Sequence, residues 1–546
     1  MSIAIPEKTD LQKNQEKSGF KPDWSIFFDN PIILKQARVR LKRSSLITWL
    51  MMIFVICSAL LWMEFEFGNQ RYDRSAGYIL GGMVFLMLIV GTQQIGIMIS
   101  TTRATGMIDF HRLSPQSPLS LFVGFILGGT IREYIFILFA IPFLVLACIL
   151  YEISLIGLAI LLFSLFILSL LFHSLTVVSA MLVKTPNANA AKGAAWGVFA
   201  ALGMLGPLLS GTMAINRAAN EPPPVNFFGF RGNLFLVFIF VGIVALVFIC
   251  IAGVRRMADD NRPSLTKKQA VIAYFFAILA GIALMINQNF YDDDVIKPAE
   301  FGVTCIWGLI SFLLLATASP ERVAYIGGLR RAIRLGLRRP GNWSDRALNR
   351  GVLLIFAALL MLGTNLLHFI RSDKYSSVTP LPSASLATAV LIMIQFGLAL
   401  QYFRLRLGKF ANGALIGFLF IVWVLPFMLG ISVMIGSPDD DAEKIGQLIM
   451  SISPIPGIAI GGNIFDNASQ ITNEIAKQCQ LAALLPTLTC VFIFNMMITN
   501  LQRRIDKRIL PEHRQPDTDP FAYLDDISAR ELVAKRSKTS ETINKK

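Results

Sequence analysis

The chain has 546 residues, 54% of them hydrophobic and 16% charged, with 41 Phe and a formal net charge of +15. Soluble domains carry about a quarter charged residues, so a single water-exposed globule is excluded. Nucleic-acid binding is excluded as well, because the basic excess sits in short loops beside apolar stretches, the pattern of Lys and Arg retained on the cytoplasmic side of a membrane.

In chain order, the first 45 residues are polar and show no cleavable leader, so the N-terminus is expected to stay in the cytoplasm. Twelve apolar stretches follow, at 46–63, 77–100, 119–151, 154–183, 194–216, 234–254, 270–288, 302–318, 352–369, 387–402, 414–436 and 480–499. Each is long enough to cross hydrocarbon, which takes about 20 apolar residues and admits only structures that satisfy their own backbone. The fold class expected is an all-α polytopic bundle of about twelve transmembrane helices. Arg132 and Glu133 interrupt the third stretch, which reads as one span with a polar entry. An even number places both termini in the cytoplasm and the protein in the cell membrane. Arg103, Arg112, Lys184, Lys192, Arg255, Arg256, Lys267, Lys268, the Arg330 to Arg350 cluster, Arg404, Arg406 and Lys409 then share one side. The runs Asp292 to Asp294 and Asp439 to Asp441 fall in outer loops.

The layout divides into a cytoplasmic N-terminus (1–45), a first six-span half (46–254), a polar linker (255–269), a second half (270–499) and a cytoplasmic tail (500–546). Each half has its large cytoplasmic loop between its second and third spans, a parallel repeat of a kind common in transporters. Whether one chain forms the full pathway or is one side of a homodimer is left open. The cysteines (Cys57, Cys148, Cys250, Cys305, Cys479, Cys490) stand singly with no CxxC pair, so they read as small apolar residues, neither a disulfide framework nor a metal site.

Three segments on the cytoplasmic side carry information beyond topology. In DNPIILKQARVRLKR, Asn30 is a helix cap and Pro31 a first helical residue. Ile33, Leu34, Ala37 and Leu41 fall on one face of the following helix (31–43), and Lys35, Arg38 and Lys42 on another. This is an amphipathic basic helix at the membrane surface, either a topology anchor or a helix packed beside a partner. In the loop at 101–118, Met107, Phe110 and Leu113 recur at three-residue steps, so a short helix has one apolar face to set against something. Pro115 stops it, and Ser117 with Pro118 starts the next helix. That loop either turns the chain or transmits a push into the membrane. In 319–342, Ile326, Leu329, Ile333 and Leu337 share a face, while Arg330, Arg334 and Arg338 lie four apart on another. The basic helix expected over 325–339 rests either on anionic lipid or on the same partner as the first loop.

The region from residue 24 to 130 resembles the permease subunits of type-2 ABC exporters. Their loop after the second span has a glycine, a short run with an acidic residue and leucines, then Ser or Thr with Pro. Gly106, Asp109, Leu113, Ser114, Pro115 and Ser117 match it in order, with Gly124 and Gly128 opening the next helix. Acidic residues common before that glycine are replaced by Thr101, Thr102, Arg103 and Thr105. The resemblance implies that Gly106, Asp109, Phe110, Arg112, Leu113, Ser114 and Pro115 contact a separate cytoplasmic ATP-binding subunit, which would hold ATP and Mg. No GxxxxGK[ST] phosphate loop occurs here, so this chain is expected to carry no cofactor and no catalytic residue.

Ionisable and polar residues inside the spans are few: His173, His368, Asn365, Gln395 and Asn495, with no Asp, Glu, Lys or Arg expected at a midplane. Ion-coupled carriers usually need buried ionisable groups. The expected function is therefore an ATP-driven exporter permease for a hydrophobic or amphiphilic substrate. An ion-coupled carrier is the alternative, and a lipid-modifying membrane enzyme a third. The broken apolar segment around Pro454, Pro456, Gly457, Gly461 and Gly462 reads as a re-entrant or outer helix pair before the last span.

Overall fold

The structure, a computed structural model, describes residues 30–67, 74–114, 116–150, 153–182, 224–227, 230–259, 262–285, 293–335, 339–372, 383–436, 440–461 and 473–509. Among them, eleven helices are long and apolar enough to cross a membrane. These eleven coincide with eleven of the twelve expected spans. The stretch 194–216 lies outside the described residues. The protein is an all-α multi-pass membrane protein, with one short hairpin of strands, β1 (Pro224–Phe227) and β2 (Phe230–Asn233), before one of the spans.

The chain forms two compact units, Met1–Pro222 and Pro223–Lys546. In the first, α1 (Pro31–Arg40) leads into α2 (Arg43–Phe67). One further span is built from α3 (Arg74–Val84), a π-helical turn (Phe85–Val90) and α4 (Gly91–Ala104). The short α5 (Met107–Leu113), the 33-residue α6 (Pro118–Leu150) and α7 (Leu155–Leu182) follow. Asn30 meets Ser120, Arg40 meets Gly129, Trp49 meets Phe136 and Phe54 meets Phe143, so α1 and then α2 run alongside α6 in the same direction.

Glycines set how closely these helices approach. A Cβ on Gly124 would lie 2.7 Å from Asn30 Oδ1, one on Gly128 would lie 3.3 Å from the backbone of Ile33, and one on Gly129 would lie 2.9 Å from Ile95. A ridge without side chains on α6 therefore receives α1 on one side and α4 on another.

The second unit contains α8 (Leu234–Ala258), α9 (Lys267–Met285), α10 (Asp293–Ala318), α11 (Arg322–Arg334), α12 (Arg350–Ser372) and α13 (Ser383–Leu407). Then come α14 (Ala411–Leu419), a π-helical turn (Phe420–Val424), α15 (Leu425–Gly436), α16 (Asp440–Ile452), α17 (Pro454–Gly461) and α18 (Asn473–Ile509). The division places α8 with the second unit, whereas span counting groups it with the first half. Trp307 is the keystone here. Its ring fills the space left by Gly281 and Gly363, and its Nε1 donates to the Ala277 carbonyl at 3.0 Å. α10 begins at Asp293 and α16 at Asp440, within the two acidic runs read from sequence.

The expected helix pair before the last span is re-entrant. α16 starts four residues after α15 ends and runs back along it, with the backbones of Gly430 and Gly446 in close contact. It ends where the Ser453 hydroxyl donates to the Trp423 carbonyl at 2.6 Å, halfway along the span 411–436. There α17 begins, packed by Gly457 against Ala483 of α18. Irregular backbone at membrane depth is tolerated only where protein covers it, and the π turn at 420–424 supplies the carbonyl that Ser453 satisfies.

Candidate coupling surface

Two short elements, α1 and α5, meet at the end of the first unit where α6 begins. Asn30 holds α1 in place twice over. Its Oδ1 accepts from Ile32 N at 3.0 Å, the capping bond expected from sequence, and its Nδ2 donates to the Ser120 carbonyl at 2.7 Å and to Ser120 Oγ at 3.1 Å. At the other end, Arg40 donates to the Gly129 carbonyl at 2.7 Å. Burial holds the Arg40 pKa below its usual value, against the opposing pull of the nearby Glu133 carboxylate.

This docking corrects the expected amphipathic face. Ile32 is 4% exposed and Ile33 and Gln36 lie against Gly128, whereas Leu34 is 49% exposed and lies with Lys35, Arg38 and Val39 on the outer side. The contact surface on α6 rotates α1 by roughly one residue from the face that its own periodicity suggests. The helix also ends at Arg40, not at residue 43, because Leu41 takes up a cap conformation and Arg43 opens α2. Lys42 is exposed between the two helices.

The loop after the second span is a helix, α5, set off by Gly106. With φ +71 this glycine has the left-handed conformation that L side chains rarely adopt, and it reverses the chain after α4. Before it, Thr101, Thr102 and Thr105 return their hydroxyls to carbonyls one turn back, and Arg103 donates to the Ala180 carbonyl of α7 at 2.9 Å. The residues that depart from the permease pattern thus close the end of α4 and tie it to a neighbour.

Ile108 turns inward from α5, while Phe110 is 70% and Leu113 87% exposed, with Met107 beside them. Asp109 and Arg112 pair on the surface at 2.9 Å. Ser114 ends the helix by donating its hydroxyl to the His111 carbonyl at 2.6 Å, and Pro115 lies outside the described residues. Ser117 Oγ then accepts from Ser120 N, with Pro118 as the first residue of α6, the start signal read from sequence. Burial, with help from Lys35, lowers the pKa of His111. Lys35 Nζ stands 4.0 Å from Met107 Sδ and bridges α1 to α5. Apolar Phe110 and Leu113 therefore stand on a surface that also carries Lys35 and Arg112.

The third expected segment is α11, which ends at Arg334 instead of continuing to 339. Its buried face is Tyr325, Gly328, Leu329 and Ala332, so of the four residues expected there only Leu329 is fully buried; Ile326 and Ile333 are half-buried, and Leu337 lies outside the described residues. Arg330 and Arg334 are exposed, and Arg338 lies outside the described residues. Cations anchor the surrounding loop. Lys267 is buried and donates to the carbonyls of Asn342 and Leu348 at 2.8 and 2.9 Å. Arg404 donates to the Ser319 carbonyl, and Arg255 pairs with Asp345 at 3.0 Å.

Two polar features named from sequence in the first unit acquire partners in the fold. Glu133 is 1% exposed and accepts from Arg132 at 2.9 Å, with Arg132 also lying over the Phe136 ring. The other feature is His173, fully buried between two helices. Its Nε2 donates to the Met87 carbonyl at 2.9 Å, so its Nδ1 accepts from the Tyr134 hydroxyl at 3.2 Å. Gly91 leaves the room for that imidazole. His173 is thus a clamp on the π turn, whose carbonyl gave no signal in the sequence.

Comparison with protein-family models, with curated proteins and with solved structures finds no match.

Proposed function

We propose that this chain is the membrane-spanning permease subunit of an ATP-driven ABC exporter, moving a hydrophobic or amphiphilic substrate with energy from a separate cytoplasmic ATP-binding subunit. The observation that carries the reading is α5, a short helix between two spans whose outer face is Phe110 and Leu113. Large apolar side chains in water cost free energy unless something covers them. A single exposed Leu on a membrane helix has lipid to face, but α5 lies beyond the ends of its flanking spans. A partner's socket is the economical cover, and the residues that resemble the exporter pattern, Gly106 to Ser114, build that helix.

In this reading the end bearing Lys35, Arg38, Lys42, Arg103 and Arg112 is cytoplasmic, and Arg330 and Arg334 face lipid headgroups. Glu133, engaged with Arg132, is suited to holding a charge in place at a span's entry. An ion-coupled carrier would need a carboxylate free to take up and release its ion.

The test is purification from the native membrane in mild detergent, followed by identification of copurifying proteins and transport assays with and without ATP depletion. Recovery of an ATP-binding subunit and loss of transport on depletion are expected. Transport that survives depletion, from a preparation without such a subunit, overturns the proposal.

A further inference from the structure

A cleft of about 180 Å³ lies inside the first unit, away from α1 and α5. Met83 of α3 and Met87 of the π turn form its floor, Leu138 and Tyr134 one wall, and Leu162 and Phe166 of α7 the other. Its lining is apolar. The Tyr134 hydroxyl is turned to His173, and the floor residues are nearly inaccessible to water. At the mouth, Leu138 is 68% exposed and Phe166 is also exposed, so the cleft opens sideways between α6 and α7.

Depth identifies what meets that mouth. From Arg132 to Leu150, α6 is about 19 residues and so ~28 Å long, the thickness of a bilayer's hydrocarbon. Residues 134 to 141 therefore sit within hydrocarbon, in the half nearer the charged end of the helix. The mouth is continuous with the lipid-facing surface of a membrane-spanning helix. Apolar cavities stay dry and take apolar ligands.

We infer that this cleft is an alkyl-chain site, occupied by one acyl chain of a bilayer lipid that enters between α6 and α7 and ends against the π turn at Met87. The headgroup stays outside, because the walls contribute no free polar group to receive it. The chain packs on the same turn whose carbonyl His173 holds, so occupancy supports that turn from the side opposite the histidine. The site does not depend on the coupling reading and stands or falls without an ATPase.

The test uses the full chain, reconstituted in phosphatidylcholine vesicles containing a trace of phosphatidylcholine with a photoreactive diazirine on one acyl chain. After illumination, adducts are mapped by peptide mass spectrometry. Met83 and Met87 should label several-fold more than Met98 and Met181, which are comparably buried but lie outside the cleft. Leu138→Trp, a change at an exposed position, should close the mouth and cut labelling of Met83 and Met87 at least threefold, with labelling of exposed Met51 and Met52 on α2 unchanged. Phe166→Ala, which widens the mouth, should preserve or raise it. Labelling of Met83 and Met87 no greater than that of Met98 and Met181 overturns the inference.

Discussion

Replacing both Phe110 and Leu113 with Asp separates the two consequences of the α5 surface. Full burial of a Phe or Leu side chain is worth about 2 kcal/mol. Scaled by exposed fractions of 70% and 87%, covering the pair in a socket contributes about 3 kcal/mol to docking, roughly a hundredfold in affinity. Carboxylates at the same positions add a desolvation cost. Folding should change little, because neither side chain contributes to the core and surface substitutions usually stay within about 0.5 kcal/mol. The double variant should therefore insert and purify normally, lose at least a hundredfold in affinity for the ATP-binding subunit, and fail to couple ATP hydrolysis to transport. Ile108→Asp is the contrasting control, because it places a charge on the buried side of α5 and should lower the melting temperature as well. Wild-type transport and copurification in the Phe110→Asp, Leu113→Asp variant would refute the reasoning.

Three further outcomes follow from the packing. Asn30→Ala should cost about 1 kcal/mol for the lost cap and a similar amount for the bond to Ser120; faster protease cleavage ahead of α2 would report it, whereas Leu34→Ala should leave cleavage unchanged. Lys267→Met should cost about 3 kcal/mol by leaving the Asn342 and Leu348 carbonyls without their charged donor, read as a lower unfolding temperature in detergent, with Lys268→Met as the neutral comparison. His111 has a pKa below its ordinary 6.5, so the folded state binds its proton less readily than the unfolded chain. Its contribution is complete above pH 6.5 and is lost as pH falls towards the lowered value. Amide exchange in α5 should quicken over that window in wild type and stay flat in His111→Gln.

The spans were legible because hydrocarbon imposes a length that any apolar stretch displays, and the caps at Asn30 and Ser117 because they depend on immediate neighbours. What was hidden depends on a second element. The periodicity of α1 favours Leu34 for the buried face, yet docking buries Ile32 and sets Ile33 and Gln36 against Gly128, and nothing in residues 31 to 40 encodes the position of Gly124 or Gly128. Phe110 and Leu113 were visible as a stripe, but only the fold shows that the stripe has no cover. Residues of a π turn have no distinctive composition, so the carbonyls of Met87 and Trp423 became apparent only through His173 and Ser453, which bind them. Glu133 was noted as an interruption in an apolar run, and its burial follows from neighbouring helices that the run itself does not describe.

The length of α6 has a mechanical consequence. At 1.5 Å per residue its 33 residues reach ~50 Å, so about 20 Å extends beyond a 30 Å hydrocarbon layer. Bonds to Ser120 and Gly129 fasten α1 along that extension, and α5 joins it through four residues. Helices are stiff along their axis and bend chiefly where a proline interrupts the hydrogen bonds, here Pro142. The extension is thus a rigid arm, and a force applied at α5 is carried past Glu133 to the cleft beside the π turn before the arm reaches its first point of compliance.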